Sequence, residues 1–270
     1  MARRLTEEKP KWQTRLAKER EYTSSFEGMT EAEWRVLMRG QKLLSSNHDT
    51  IVALDWPHYC IDSTVACGGQ RGYCYTFQGN QAKPNHDRHV AMVDVLARSY
   101  PQLFGELVSE EVAVLVAKGI LPYPNLRYSG SGEMTRAHLP ALHAVHDRGV
   151  RLWGFTRSLA IAARLREWGV GVLLSCDRTT NAILLERALS LGIGLAYVSA
   201  GVSDVPPSGT VVTFPIHRGG RVREVVESDT LCPKILDDFF FDMRPGGSCQ
   251  SRCTRCHLLP ANKGTEIASR

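Results

Sequence analysis

Three cysteines in one glycine-rich segment are the residues of this chain whose type and spacing most directly suggest chemistry. The segment, residues 60–79, has six residues between successive cysteines: Cys60, Cys67 and Cys74. It follows an apolar run with the composition of a strand, TIVALDW at residues 50–56. A segment so rich in glycine cannot build a core of its own, and clustered thiolates are ligands of iron–sulfur clusters and of zinc. The spacing alone leaves both metals open.

Three thiolates are one fewer than either metal centre holds. In a [4Fe–4S] cluster they would leave one iron open, as catalysis by direct ligand binding requires. In a zinc site a fourth donor is needed, and His58 or His86 could supply it. The position of the segment after the first strand of a βα chain favours the cluster, because ligands bind where parallel strands end.

A second group of cysteines lies near the C-terminus, with spacings of three and two residues: Cys249, Cys253 and Cys256. Such short spacings let a tight turn aim several sulfurs at one centre, and Cys232 can return as the fourth thiolate. The set fits a second [4Fe–4S] cluster and a structural zinc site equally well.

The remaining cysteine and three histidines are predicted to be structural. Cys176 lies in an apolar strand, where a buried small hydrophobic residue is expected. His138, His143 and His146 fall on one predicted helix without carboxylate or cysteine company. We therefore expect them to be surface or core residues and not ligands.

The elements that must position these residues alternate between strand and helix with short links. This alternation predicts parallel βα units, and hence an α/β fold that is either a barrel or an open doubly wound sheet. Six strands are predicted, the first at residues 50–56 and the others within these ranges: 125–133, 151–157, 170–177, 193–200 and 210–217.

Polar residues gather where three of these strands end, at residues 129–133, 156–158 and 175–177. In parallel α/β folds the carboxyl ends of the strands lie at one edge. We therefore expect these three turns and the cysteine segment to share one rim.

Capping residues and prolines mark the helices. Thr30, followed by acidic residues, predicts a helix start, and residues before it are expected to form a frayed or surface helical segment. Pro101 is expected to split a long helical pattern in two, with Gly119 at the end of the second part. Ser158 and Gly169 predict the start and stop of a later helix.

The cysteine segment after the first strand, Tyr73 just before its last cysteine, and a glycine/glutamate turn after the second strand together resemble the radical S-adenosylmethionine (radical SAM) enzymes. The family's usual cysteine spacing is three and two, and here it is six and six. The resemblance implies a partial (β/α)6 TIM-like barrel at residues 47–228, after an N-terminal helical extension (1–46). A C-terminal cysteine-rich metal-binding extension (229–260) and a disordered tail (261–270) would follow.

The resemblance also implies a function. Cys60, Cys67 and Cys74 would ligate a [4Fe–4S] cluster whose open iron chelates S-adenosylmethionine. An electron from the cluster, delivered by a small protein such as flavodoxin or ferredoxin, would cleave the cofactor to methionine and a 5′-deoxyadenosyl radical. That radical would abstract hydrogen from an unknown substrate, and the C-terminal cysteines would hold the second cluster or zinc.

The same comparison assigns the cofactor contacts. The turn formed by Gly130, Ser131, Gly132 and Glu133 matches the one that holds the methionine amino group. Ser175 and Asp177 match polar positions that reach the ribose or the carboxylate, and Arg157 is a candidate for the carboxylate. Tyr73 is also placed at the cofactor. For the residues at strand ends, capping of the strand end is the alternative.

A narrower resemblance covers the chain from Cys60 to the end. Cysteine-rich radical-SAM-like proteins of phages and mobile elements, of unassigned reaction, are similar in the cysteine segment, in Tyr-Pro-Gln-Leu-Phe at residues 100–104 and in the C-terminal cysteines. This similarity implies a radical-type barrel with a second metal site, and no substrate.

The charge and hydropathy of the chain limit its possible partners and location. The net charge of +5 permits contact with nucleic acid but does not argue for it. The N-terminus lacks a secretory pattern and no run is long enough to span a membrane, so we expect a cytoplasmic protein without a membrane partner. The alternative function is a non-enzymatic zinc-binding module that contacts nucleic acid or a partner protein, suggested by Arg244, Arg252 and Arg255.

Overall fold

The computed structural model describes residues 11–46, 52–58, 84–199, 203–215 and 230. The predicted metal ligands and one predicted cofactor contact lie outside these residues: Cys60, Cys67, Cys74, Cys232, Cys249, Cys253, Cys256 and Tyr73. The predicted C-terminal extension, 229–260, falls outside them except for residue 230, and the predicted disordered tail, 261–270, does so entirely.

Seven α-helices and seven strands are present in the described part of the chain. The helices are α1 (Lys11–Phe26), α2 (Glu31–Met38), α3 (Pro84–Ser99), α4 (Pro101–Ala117), α5 (Leu139–His146), α6 (Leu159–Glu167) and α7 (Ala182–Ser190). The strands are β1 (Ser45–Ser46), β2 (Val52–Ala53), β3 (Asn125–Arg127), β4 (Arg151–Thr156), β5 (Gly171–Asp177), β6 (Gly194–Ser199) and β7 (Thr210–Pro215). A short 3₁₀ helix, Arg136–His138, precedes α5.

The strands form one sheet in which β2 to β7 run parallel, as predicted, and the short β1 pairs antiparallel with β2. The spatial order of the strands follows the chain order without a reversal. A doubly wound sheet reverses its order at a switch point. The observed order is therefore compatible with a partial α/β barrel-like fold, the other alternative that the alternation of elements left open.

The main hydrophobic core lies between the helices and one face of the sheet. Leu174 and Cys176 belong to this core, whereas Leu173 belongs to a smaller cluster with Ala196 and Val212. Because successive side chains of a strand point to opposite faces, the smaller cluster lies on the face away from the helices. We call it the inner face.

Capping and proline patterns placed the helix ends correctly. Thr30 caps α2 in a capping box with Glu33, and α4 begins at Pro101 directly after α3. Gly169, with φ +78°, follows α6 where a stop was predicted. Ser158 is the N-cap residue of α6, although its side chain makes no capping hydrogen bond.

The N-terminal helices are more deeply packed than expected. Helix α1 packs against α3, and Phe26 at its end meets Trp34 of α2 with ring centroids 5.6 Å apart. Both side chains belong to the main core. The expectation of a frayed or surface segment before Thr30 is therefore wrong for α1, because buried Phe26 anchors this helix to the core. Among the described helices, none combines the length and the apolar character needed to cross a bilayer.

Helices α4 and α5 come into close contact at Gly105. A Cβ atom at Gly105 would lie 2.7 Å from Cβ and 2.8 Å from the backbone carbon of Ala144. We expect Gly105→Ala to lower the free energy of unfolding by about 1–3 kcal/mol, because the backbone of α5 must move. Denaturant unfolding measures the change.

Gly40→Ala is the matched control. Nothing lies within 4 Å of a Cβ atom at Gly40, so its stability should stay unchanged or rise slightly. Equal effects of the two substitutions would contradict the close crossing of α4 and α5.

Candidate functional site at the carboxyl ends of the strands

The turn after β3, residues 130–133, is hydrogen-bonded to residues 54–57, which continue β2. The contacts are Gly130 N to Leu54 O at 2.6 Å, Trp56 N to Ser131 O at 2.9 Å and Glu133 N to Pro57 O at 3.2 Å. Residue 58 then leads, within two residues, into the cysteine segment. The turn and the chain that enters the cysteine segment therefore lie side by side as far as the described residues reach.

Two glycines make this contact possible. Gly132 has φ +68°, and a Cβ atom there would lie 1.9 Å from the carbonyl oxygen of Trp56. A Cβ atom at Gly130 would lie 2.5 Å from Oδ1 of Asp55 and 2.8 Å from Cβ of Ala53. Only glycine allows the two backbones to come so close. The glycines of the turn thus have a packing reason of their own.

Glu133 connects the turn to the end of β4. Its Oε1 accepts a hydrogen bond from Oγ1 of Thr156 (2.8 Å), and its Oε2 accepts one from the backbone N–H of Arg157 (3.0 Å). Hydrogen bonds to a carboxylate are stronger than those between neutral groups. Glu133 therefore fixes the relative position of two strand ends that the sequence placed on one rim.

Arg157 extends this connection to β5. Its Nη1 lies 3.1 Å from Oδ2 of Asp177, and the two side chains are only 9% and 2% exposed. The other oxygen of Asp177 accepts hydrogen bonds from N (2.9 Å) and Oγ1 (2.6 Å) of Thr179. Such partners compensate the cost of burying the carboxylate. Ser175, two residues before Asp177 on the same face of β5, is half-buried.

The rim also includes two residues that sequence reasoning did not assign to it. His86 at the start of α3 lies with Nε2 3.2 Å from Oγ of Ser131 and Nδ1 3.9 Å from Oδ2 of Asp55. The sequence suggests His86 only as a zinc ligand and does not single out Asp55. The end of an apolar strand, where Asp55 lies, is the pattern that could have identified it.

Beneath the rim, the inner face combines aromatic rings with the guanidinium of Arg127. The guanidinium of Arg127 lies 5.0 Å from the ring centroid of Phe155 and 5.9 Å from that of Trp153. Phe155 meets Phe214 of β7 edge-to-face, with centroids 5.6 Å apart. Ser129 joins β3 to β4 by donating to the carbonyl of Phe155 at 2.6 Å. This face could pack against an apolar or planar ligand.

Trp56 is supported from the helix side by a histidine. The ring of His138 stacks on Trp56 at a centroid distance of 4.5 Å, and its Nε2 lies 2.7 Å from Oδ1 of Asp94. Arg98 donates to the other oxygen of Asp94 at 2.7 Å. Burial raises the pKa of Asp94, but the hydrogen bonds and charges of His138 and Arg98 outweigh it, so the pKa lies below its usual value.

The prediction that the three histidines have no carboxylate nearby is wrong. Asp94 meets His138, and Asp147 lies 2.8 Å from His143 on the surface. His146 instead contacts the carbonyl oxygen of Trp168 at 2.9 Å. The partner of His138 comes from another helix, which sequence spacing does not reveal.

Cys176 is a packing residue, as predicted. Its side chain is fully buried in the main core, and burial raises the pKa of the thiol to about 12. The nearby guanidinium of Arg157 lowers that pKa only in part. A thiol in this state is inert as a nucleophile or metal ligand at neutral pH.

The rim thus brings together the predicted turn, Arg157 and Asp177 at the ends of neighbouring strands. No model of a protein family matches this chain, and no curated protein or solved structure was found to match it. What the rim offers is a guanidinium, several carboxylates and an imidazole, each in contact with a neighbouring residue of the rim.

Gly132→Ala tests the close approach in the turn. Both the left-handed φ and the contact with the carbonyl oxygen of Trp56 oppose a side chain at this position. We therefore expect Gly132→Ala to lower the free energy of unfolding by clearly more than the backbone strain of a left-handed residue costs. Gly149→Ala is the control, since Gly149 has φ +80° but open space around it. It should cost about 1–2 kcal/mol, and a similar cost at both sites would argue against the close contact.

The lowered pKa of Asp94 predicts that part of the protein's stability is lost at acidic pH. Because its folded pKa is depressed below the unfolded value of about 3.9, it contributes stability above that pH and loses it as pH falls through the folded pKa. We expect Asp94→Asn to be less stable than wild type at pH 7 and to lose less stability on acidification. Denaturant midpoints from neutral to acidic pH measure this. Parallel pH profiles would contradict it.

Proposed function

We propose that this protein is a radical SAM-like iron–sulfur enzyme that cleaves S-adenosylmethionine reductively in order to abstract hydrogen from a substrate. The observation that carries this proposal is the series of contacts through Glu133. It joins the turn beside the entry to the cysteine segment to the ends of β4 and, through Arg157, of β5. An enzyme of this class needs its metal segment and its cofactor-binding turns at one rim.

The donor groups at the rim fit such a cofactor. Arg157 carries a guanidinium, which pairs with carboxylates, and Asp177 carries a carboxylate, which accepts hydrogen bonds from hydroxyl groups. A methionine carboxylate and a ribose require groups of these two kinds. Glu133 would act mainly as a positioning residue, since both of its oxygens accept hydrogen bonds from the end of β4.

The cysteines and the rim residues would have different roles. Cys60, Cys67 and Cys74 would hold the [4Fe–4S] cluster. When bound, the cluster would supply the electron and the cofactor would supply the bond that is cleaved. The rim residues would bind and orient the cofactor.

The inner face would exclude water from a reacting substrate. Leu173, Ala196 and Val212 form its buried apolar part, with Phe155 and Phe214 packed against them. An apolar wall protects a reactive species from side reactions with solvent.

The C-terminal cysteines would form a second metal site. Cys232, Cys249, Cys253 and Cys256 would hold a second [4Fe–4S] cluster or a zinc ion, and a small electron-transfer protein such as flavodoxin or ferredoxin would reduce the enzyme. Iron and zinc analysis of protein purified without oxygen separates the two forms of this site.

Formation of 5′-deoxyadenosine tests the function. After anaerobic reconstitution with iron and sulfide, reduction in the presence of S-adenosylmethionine should release this product from wild type, measured by liquid chromatography and mass spectrometry. Cys74→Ala should release none, because the first cluster loses a ligand, while the C-terminal metal stays bound.

Cys176→Ala is the matched control. This cysteine is buried in the core and has an inert thiol, so its removal should leave product formation unchanged. Absence of product from wild type at full iron occupancy would refute the catalytic proposal. Two zinc ions per chain without visible absorbance would support the zinc-binding module in its place.

A further inference from the structure

Three buried side chains from separate elements converge around His58, two residues before the cysteine segment in the chain. Glu19 comes from α1, His58 follows β2, and Asp87 lies in the first turn of α3. One potential ligand atom of each lies within 4.8 Å of the other two. Their relative exposures are 0%, 7% and 4%, so water can do little to compensate their charges.

Glu19 holds His58 through both of its carboxylate oxygens. Nδ1 of the His58 ring contacts Oε1, and the backbone N–H of His58 donates to Oε2 at 3.0 Å. A histidine fixed in this way has a defined ring orientation, which metal-binding histidines require.

The charges of the cluster favour a cation. Two carboxylates buried close together repel each other, and each is costly to remove from water. A divalent cation bound between them would relieve this repulsion.

A further buried acid adds to the negative charge nearby. Asp55 is 2% exposed, and its Oδ1 has no hydrogen-bond partner in the described part of the chain. Its Oδ2 lies 3.9 Å from Nδ1 of His86, and the His86 ring lies 5.9 Å from the His58 ring. Three buried acids therefore lie around two neighbouring imidazoles.

We propose that Glu19, His58 and Asp87 bind one divalent transition-metal cation. One imidazole nitrogen and two carboxylates are a donor set that suits Zn²⁺ and Mn²⁺, and it contains no thiolate. The ion would join α1 to residues that come before and after segment 59–83 in the chain, the part with Cys60, Cys67 and Cys74. Binding of this ion does not depend on the proposed enzymatic function.

Manganese binding to the full-length chain tests the proposed metal site. Mn²⁺ favours carboxylate ligands over thiolates, so the cysteines should not compete for it. After treatment with EDTA, a titration followed by electron paramagnetic resonance should show one Mn²⁺ bound per chain in wild type. The same stoichiometry is expected in a variant with Cys60, Cys67 and Cys74 all replaced by alanine, which separates this site from the proposed cluster.

Ligand variants decide which residues hold the ion. Glu19→Gln and Asp87→Asn should weaken Mn²⁺ binding by about tenfold or more, since even the loss of an outer partner costs that much. Asp94→Asn is the matched control, because Asp94 is another buried carboxylate of α3 that pairs with His138 and Arg98. Its Mn²⁺ affinity should equal that of wild type.

Thermal unfolding provides a second readout if a ligand variant fails to fold. Mn²⁺ added to metal-free wild type should raise its melting temperature, because an ion that binds only the folded state stabilises it. No bound Mn²⁺ and no rise in melting temperature with Mn²⁺ would overturn the proposal. Unchanged affinity in folded Glu19→Gln and Asp87→Asn would overturn it as well.

Discussion

The structure of the rim depends on the close backbone contact between the turn at residues 130–133 and residues 54–57. Gly132 permits it, because any side chain at this position would collide with the carbonyl oxygen of Trp56. Once the turn is held there, the Glu133 carboxylate reaches the end of β4, and Arg157 reaches Asp177 of β5. A single backbone contact thus sets the position of charged groups on three neighbouring strands.

Helix α3 connects this rim to the rest of the protein. Its first turn contributes His86 to the rim and Asp87 to the cluster with Glu19, and its middle contributes Asp94, which holds His138 against Trp56. The same helix packs against α1. A shift of α3 would therefore disturb the rim, the support of Trp56 and the acidic cluster together.

Buried charge is compensated in two different ways in this chain. Asp177 and Asp94 are each held by arginine together with hydrogen-bond donors or a histidine, so these sites are balanced by the protein itself. At Glu19 and Asp87, two buried carboxylates instead lie close to the same imidazole, that of His58. Such an arrangement favours a bound cation, which would relieve the repulsion between the two carboxylates.

The sequence by itself determined the alternation of strands and helices, the capping at Thr30, the break at Pro101 and the gathering of polar residues at strand ends. These features follow from backbone preferences and side-chain periodicity, which act over a few residues. Only the tertiary structure decided that α1 is part of the core and that Glu19 meets His58, 39 residues away. It also decided that His138 finds Asp94, 44 residues away. Such contacts depend on which surfaces pack together, and local patterns do not encode that choice.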